Sequence, residues 1–138
     1  MSAPSLADGD AVPPDEVVIR GGESTINTMV KSALSHWDSC LDEGREPEYA
    51  LSAEYRLGCT GREIARQAGD PIPRYRLMRQ AIVRDIATAG FPVVHDGRVG
   101  HALIKIDAQS DDDLEGLVGE LNGAFAPPEP NPGWRPDV

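Results

Sequence analysis

The sequence predicts a single α+β domain, on the grounds of its size and of two kinds of hydrophobic pattern. The chain has 138 residues, of which 40% are hydrophobic and 26% charged, a composition typical of one globular domain. Apolar residues recur at three- and four-residue spacing from Ile26 to Leu41, which indicates an amphipathic helix. Asp96-Gly97 lies between two β-prone runs, which indicates a hairpin. We therefore expect both kinds of element in one domain, over residues 16–125.

The N-terminal part is predicted to be a strand, a helix and a second strand. Residues 17–19 form the first short strand, and the glycines at 21 and 22 permit positive φ angles after it. Ser24 is expected to cap the helix, and Gly44 to end it. Residues 49–55 alternate between two sides, which predicts a strand after the acidic loop.

The middle segment is predicted to hold two helices. The run Thr60 to Glu63 is a capping box, which begins a short helix that stops at Gly69. After a turn at residues 70–73, the spacing predicts a longer helix from Arg74 to Ala89. The outward face of this helix would carry Arg76, Arg79, Gln80, Val83, Arg84 and Ala87.

The C-terminal part is predicted to be a hairpin and a closing helix. The hairpin strands cover residues 91–95 and 99–106, and Ser110 caps the helix that follows. Both ends of the chain, residues 1–15 and 126–138, are rich in proline and are predicted to be disordered. Trp134 in the second of these tails is a candidate contact for a protein partner.

Charge is segregated along the chain. The formal net charge is −10, yet residues 56–105 carry nine basic side chains against four acidic ones. Such a distribution favours a basic working surface between acidic flanks. The alternative is that these arginines only solvate helix faces.

Residues 60–106 resemble the winged helix-turn-helix family. The similarity rests on TGREIARQAG as first helix, PRYRLMRQAIVRDIATAG as recognition helix and FPVVHDGRVGHALIKI as wing. The resemblance implies a small nucleic-acid-binding regulator or mobile-element accessory protein that binds rather than catalyses, with double-stranded DNA favoured over RNA and a two-fold partner for useful affinity. The residues expected to contact phosphates or bases are Arg62, Arg66, Arg74, Arg76, Arg79, Gln80, Arg84, Arg98 and Lys105.

Two other functional classes stay open at this point. The stretch from Ile86 to Ile106 is similar to small toxin mRNA interferases of toxin-antitoxin pairs, which implies a ribonuclease. In that family His101 would serve as general acid or base, because imidazoles titrate near neutral pH, and Lys105 would stabilise the phosphorane. The third class is a protein-interaction module whose basic strip binds an acidic partner.

Two further resemblances concern the N-terminal strand and the chain as a whole. Arg20 at a strand end is a candidate anion ligand, similar in placement to the first arginine of ADP-ribosyltransferases, although no glutamate motif of that family follows. The order of patterns over most of the chain also resembles a group of small actinobacterial proteins, which implies no particular activity.

Several classes of site and location are not expected. No apolar run reaches the roughly 18 residues of a membrane span, and the N-terminus lacks the features of a signal peptide, so a cytoplasmic location without membrane partners is expected. Cys40 and Cys59 form no C-x-x-C pair and are expected to be reduced. His36, Cys40 and Cys59 have a spacing compatible with metal binding, but Cys40 lies on the apolar stripe, so we expect no metal and no cofactor.

Overall fold

The computed structural model describes residues 6–137 as one α+β domain with a curled antiparallel sheet. Residues 1–5 of the predicted N-terminal tail and residue 138 of the predicted C-terminal tail lie outside this range. The strands are β1 (Val17–Gly21), β2 (Tyr49–Glu54), β3 (Leu77–Ile82), β4 (Val93–His95), β5 (His101–Ile106) and β6 (Glu129–Pro130). The helices are α1 (Ile26–Asp42), α2 (Gly61–Gln67), α3 (Val83–Thr88) and α4 (Asp111–Asn122).

The sheet is divided at its centre, between β1 and β2. Its strand order is β4-β5-β2-β1-β3-β6, and six register pairs join β2 to β5 while five join β1 to β3. Between β1 and β2 the ladder is reduced to one register pair, Ile19 with Glu54. The two halves of the sheet therefore diverge beyond this pair, and a cleft can open between them.

Two apolar cores cover the sheet. The larger core packs α1, α3 and α4 against buried residues of the sheet such as Leu51 and Ile104. The smaller core packs α2 against Ile19 and Met78. Val18 belongs to the larger core and its neighbour Ile19 to the smaller one, because successive side chains of a strand point to opposite faces of the sheet.

Most of the predicted elements are confirmed. The strand over residues 49–55, the hairpin and the helix capped by Ser110 are present. The capping box is also present, because Glu63 N donates to Thr60 Oγ1 and Thr60 N donates to Glu63 Oε1. The cap of α1 is Thr25 rather than Ser24, since Ser24 adopts a positive φ of 44° and is buried.

The long helix predicted from Arg74 to Ala89 is wrong. Residues 72–74 form a short 3-10 turn, residues 77–82 form β3, and only residues 83–88 are helical as α3. Pairing of β3 with β1 overrides the helical preference of this run, as tertiary contacts commonly do. The helix on which the winged-helix arrangement over residues 60–106 depends is therefore not formed.

The described parts of both predicted tails pack on the domain. Val12 is 3% exposed, and its N–H donates to the carbonyl of Val93. At the other end β6 pairs with β3, and Asn131 is 6% exposed. Asn131 Nδ2 donates to the carbonyls of Ile72 and Tyr75, at 2.9 and 2.8 Å. These contacts replace the disorder predicted for residues 6–15 and 126–137.

Candidate functional site

A cleft of about 610 Å³ opens where β1 and β2 diverge. This volume lies within the range of about 300–1,000 Å³ typical of small-molecule sites. One wall is the hydroxyl-rich face of α1, and the floor comes from both halves of the sheet. The lining includes Arg20 and Gly21 of β1, Thr28, Ser32, Ser35, His36 and Ser39 of α1, Ser52 and Glu54 of β2, Tyr75, Arg98 and His101.

Arg20 contributes a largely buried guanidinium to this cleft. Its Nε donates to Ser24 Oγ at 2.9 Å, its Nη1 donates to the carbonyl of Ser52, and its Nη2 lies 3.5 Å from Ser32 Oγ. The bond to Ser52 crosses the gap where the β1–β2 ladder stops. Among residues 6–137, no carboxylate lies within ion-pairing distance of Arg20.

Burial lowers the pKa of Arg20 to about 10, against a small opposing effect of Tyr75. The guanidinium therefore stays charged at neutral pH, and the lowered pKa reflects the cost of removing the charge from water. A cation that is partly removed from water and has no anionic partner is costly. An anionic ligand in the cleft would offset this cost, so Arg20 is the strongest candidate anion ligand.

The glycines after Arg20 allow Tyr75 to approach the strand. A Cβ atom on Gly21 would lie 2.1 Å from the ring of Tyr75, which is far inside van der Waals contact. Only glycine fits here, and Gly22 has a positive φ of 80°. The Arg-Gly-Gly sequence thus positions both Arg20 and the Tyr75 ring at the rim of the cleft.

A histidine–aspartate pair lies at the β5 side of the cleft. His101 Nδ1 hydrogen-bonds Asp96 Oδ2, and the two side chains are 12% and 13% exposed. Arg98 Nη2 lies 3.0 Å from His101 Nε2 and 3.5 Å from Asp96 Oδ2. A carboxylate bonded to one ring nitrogen fixes the orientation of the imidazole, as in general acid–base sites.

Glu54 lies opposite His101 in the β2–β5 ladder. Side chains that face each other in an antiparallel ladder have Cβ atoms about 4.5–5.5 Å apart. Burial raises the pKa of Glu54 above its ordinary value, and the Arg56 guanidinium, with Nη1 3.2 Å from Glu54 Oε2, compensates only in part. The cleft therefore places a carboxyl group and an imidazole next to each other on neighbouring strands.

The other end of the cleft holds a second polar cluster. His36 Nε2 lies 3.5 Å from Glu48 Oε1, and Lys105 Nζ bonds Glu48 Oε2. Cys40 follows His36 by one helical turn, and ligand atoms of His36, Cys40 and Glu48 lie within 4.8 Å of one another. Burial favours the protonated form of Glu48, but Lys105 and His36 together lower its pKa below the ordinary value. Cys59 is not part of this cluster.

The residues predicted to bind nucleic acid are spread over the molecule, and four of the nine form ion pairs with carboxylates. Arg84 pairs with Asp15, Arg74 with Asp70, Arg98 with Asp96 and Lys105 with Glu48. Two of these carboxylates, Asp15 and Glu48, come from the acidic flanks, and the other two lie within the basic segment itself. Arg62 and Arg66 are exposed on α2 and form no ion pair with any residue from 6 to 137.

The predicted base-reading side chains are not presented to solvent together. Arg79 is 7% exposed, and its guanidinium donates to four backbone carbonyls, at Ser24, Asn122, Phe125 and Ala126. Gln80 Nε2 donates to Glu129 Oε1 at 2.5 Å. The Arg76 guanidinium lies 4.9 Å from the centre of the Trp134 ring. These contacts are structural.

Sequence reasoning found Arg20 and His101 but missed Glu54, Asp96 and Glu48. The signal for Asp96 is its place in the turn before the His101 strand, but in the sequence this position indicates only a hairpin residue. Glu54 and Glu48 carry no local signal, because their neighbours in the site come from distant parts of the chain.

Comparisons with known proteins found no match to this chain. No protein family, curated protein or solved structure matches this chain. Within residues 6–137, no helix combines the length and the apolar character that a membrane span requires.

Proposed function

We propose that the cleft binds a nucleotide with a pyrophosphate group, of the NAD class, and cleaves the bond between its ribose and the nicotinamide. The observation that carries this proposal is Arg20, a partly buried guanidinium with no carboxylate partner among residues 6–137, in the same cleft as the Glu54 carboxyl. The resemblance of Arg20 to the first arginine of ADP-ribosyltransferases gains support from Glu54. The sequence carries no glutamate motif of that family, but the fold places a glutamate in the cleft.

The chemistry assigns a role to each polar group. Arg20 and Arg98 would bind the pyrophosphate through charge-assisted hydrogen bonds. Cleavage of the C–N bond leaves its electron pair on nicotinamide and positive charge on the ribose, where the Glu54 carboxylate would stabilise it. His101, oriented by Asp96, would accept the proton of the attacking water or acceptor hydroxyl.

Release of nicotinamide from NAD by the purified protein tests this proposal. Glu54→Gln should lower the rate about 10²–10³-fold, because it removes the charge that faces the developing cation. Arg20→Lys should raise the KM for NAD more than it lowers kcat. Arg62→Gln, an exposed change on α2 away from the cleft, is the matched control and should leave both constants unchanged. Absence of NAD binding, or full turnover by Glu54→Gln, would refute the proposal.

A second candidate is cleavage of RNA, favoured by the His101–Asp96 pair beside Arg98. His101 would take the proton from a 2′-hydroxyl that attacks the adjacent phosphate, and protonated Glu54 would protonate the leaving oxygen. Lys105, expected to serve in this reaction, is bound to Glu48. A dinucleotide of RNA should then be cleaved while its 2′-deoxy analogue is not, and His101→Gln should abolish cleavage.

Nucleic-acid binding without catalysis keeps one observation in its favour, the exposed arginines of α2. Arg62 and Arg66 project from a helix with a capping box, at a spacing of four residues on one face. Duplex DNA binding that is lost in Arg62→Glu/Arg66→Glu and falls steeply with salt would support it. Binding unaffected by this double variant would exclude α2 as the contact surface.

A further inference from the structure

We propose that His36, Cys40 and Glu48 form a zinc site at the end of the cleft. The site does not depend on the proposed nucleotide chemistry, because none of its three residues belongs to the Arg20–Glu54–His101 group. One imidazole nitrogen, one sulfur and one carboxylate oxygen lie within 4.8 Å of one another. These are the ligand types that Zn²⁺ prefers.

The helix and the loop before β2 bring the ligands together. His36 and Cys40 are four residues apart on α1, so their side chains lie on one face of the helix. Glu48 immediately precedes β2, which packs against α1. Lys105 Nζ donates to Glu48 Oε2, and the other carboxylate oxygen, Glu48 Oε1, faces His36. A lysine that fixes one carboxylate oxygen acts as an outer-shell partner of the ligand.

The distance between His36 and Glu48 fits two ligands of a tetrahedral ion better than a direct hydrogen bond. Two ligands about 2.0–2.1 Å from a tetrahedral Zn²⁺ lie about 3.3–3.4 Å apart. His36 Nε2 and Glu48 Oε1 are 3.5 Å apart. His36 Nε2 is buried and has no hydrogen-bond partner within residues 6–137, whereas buried polar atoms are normally satisfied. An ion between these atoms would supply the missing partner.

Burial indicates the side from which an ion would reach the site, and the number of protein ligands indicates how it would be coordinated. Cys40 is fully buried, while His36 and Ser39 line the cleft, so the ion would enter from the cleft side. Binding converts the Cys40 thiol to a thiolate and releases its proton to the buffer. Three protein ligands leave one coordination position for water or substrate, which is the composition of catalytic rather than structural zinc sites.

Titration of the full chain with Co²⁺, followed by Zn²⁺ displacement, tests the site. A Cys40–Co²⁺ bond gives a sulfur-to-metal charge-transfer band, and a tetrahedral site gives visible d–d bands that Zn²⁺ removes. Cys40→Ser should abolish the charge-transfer band, and His36→Gln should weaken affinity at least about 10-fold. Cys59→Ser is the matched control, because Cys59 is the other cysteine of the chain, and it should leave the spectrum unchanged.

Three outcomes would refute the proposed zinc site. They are no charge-transfer band with the wild-type chain, a band that persists in Cys40→Ser, or a band that disappears in Cys59→Ser. Circular dichroism of each variant shows whether it is folded. If Cys40→Ser proves unstable, His36→Gln tests the site instead, because it changes a partly exposed side chain. Because the readout is a spectrum, absence of NAD cleavage would leave this test intact.

Discussion

Arg79 shows at the scale of one residue how a basic side chain can serve the fold rather than a ligand. Its guanidinium satisfies four backbone carbonyls between the start of α1 and the end of α4. Burial lowers its pKa, yet the carbonyl acceptors compensate much of the lost hydration. Charge reversal at Arg79 would therefore test folding and not nucleic-acid binding.

Arg79→Leu should lower the free energy of unfolding by about 3–5 kcal/mol, because it leaves several buried carbonyls without a donor. Urea denaturation followed by circular dichroism measures the loss. Arg76→Leu is the comparison, since Arg76 is exposed above Trp134 and its removal should cost at most about 1 kcal/mol. Equal losses in the two variants would contradict the structural role of Arg79.

Glu54 gives a pH-dependent prediction. Because its folded-state pKa is raised by burial, its protonated form stabilises the fold below the unfolded pKa of about 4.3, and that stability is lost as pH rises through the folded pKa. Glu54→Gln should therefore raise the melting temperature at pH 7 and leave it unchanged near pH 4. A variant less stable than wild type at pH 7 would show that the Arg56 ion pair dominates instead.

Among the helices and strands, capping and periodicity correctly predicted the features that depend on local sequence. The capping box of α2, the alternation of Leu51 and Ala53 in β2 and the hairpin around Asp96-Gly97 are confirmed because each depends on neighbouring residues. The strand β3 could not be predicted. Its buried Arg79 breaks the alternation of polar and apolar residues, and its partner β1 lies about 60 residues away.

The site was predictable to a similar extent. Arg20 and His101 were found because a strand-end arginine and a strand histidine are conspicuous in sequence. Their partners Ser52, Glu54 and Asp96 enter the site through strand pairing and a turn. Which carboxylates meet which cations depends on the order of strands in the sheet, and that order has no local signal.

The contribution of the C-terminal segment, residues 126–137, to the free energy of unfolding can be measured. Asn131 donates to the carbonyls of Ile72 and Tyr75 and accepts from Gly133 N, so it fixes the segment that carries the Tyr75 ring. Asn131→Ala should cost about 2–3 kcal/mol of unfolding free energy. Asn27→Ala, on the exposed part of α1, should change it by less than about 0.5 kcal/mol. Loss of less than 1 kcal/mol at Asn131 would mean that the segment contributes little to stability.

At the scale of the whole molecule, charges that are segregated in sequence are paired in space. Asp15 and Glu48 lie in the acidic flanks, and they bind Arg84 and Lys105 of the basic segment. Of the thirteen lysines and arginines, six form ion pairs within residues 6–137, and the chain as a whole keeps a net charge of −10. Such a molecule is better suited to a small anion inside a cleft than to a long polyanion outside it.

The divided sheet makes ligand binding a property of the whole domain. Arg20 belongs to the β1-β3-β6 half, whereas Glu54 and His101 belong to the β4-β5-β2 half, and one register pair joins the halves. A ligand held by both halves should oppose their separation. It should therefore raise global stability, by about 2.7 kcal/mol at a concentration 100 times its Kd.

Differential scanning fluorimetry with ADP-ribose measures this linkage. For a domain of this size, about 2.7 kcal/mol corresponds to a rise in melting temperature of about 10 °C. Adenosine, which lacks the pyrophosphate, should give little rise, and Arg20→Lys should reduce the rise with ADP-ribose while Arg62→Gln preserves it. An equal rise with adenosine, or a full rise in Arg20→Lys, would show that the Arg20 guanidinium is not the group that binds the anion.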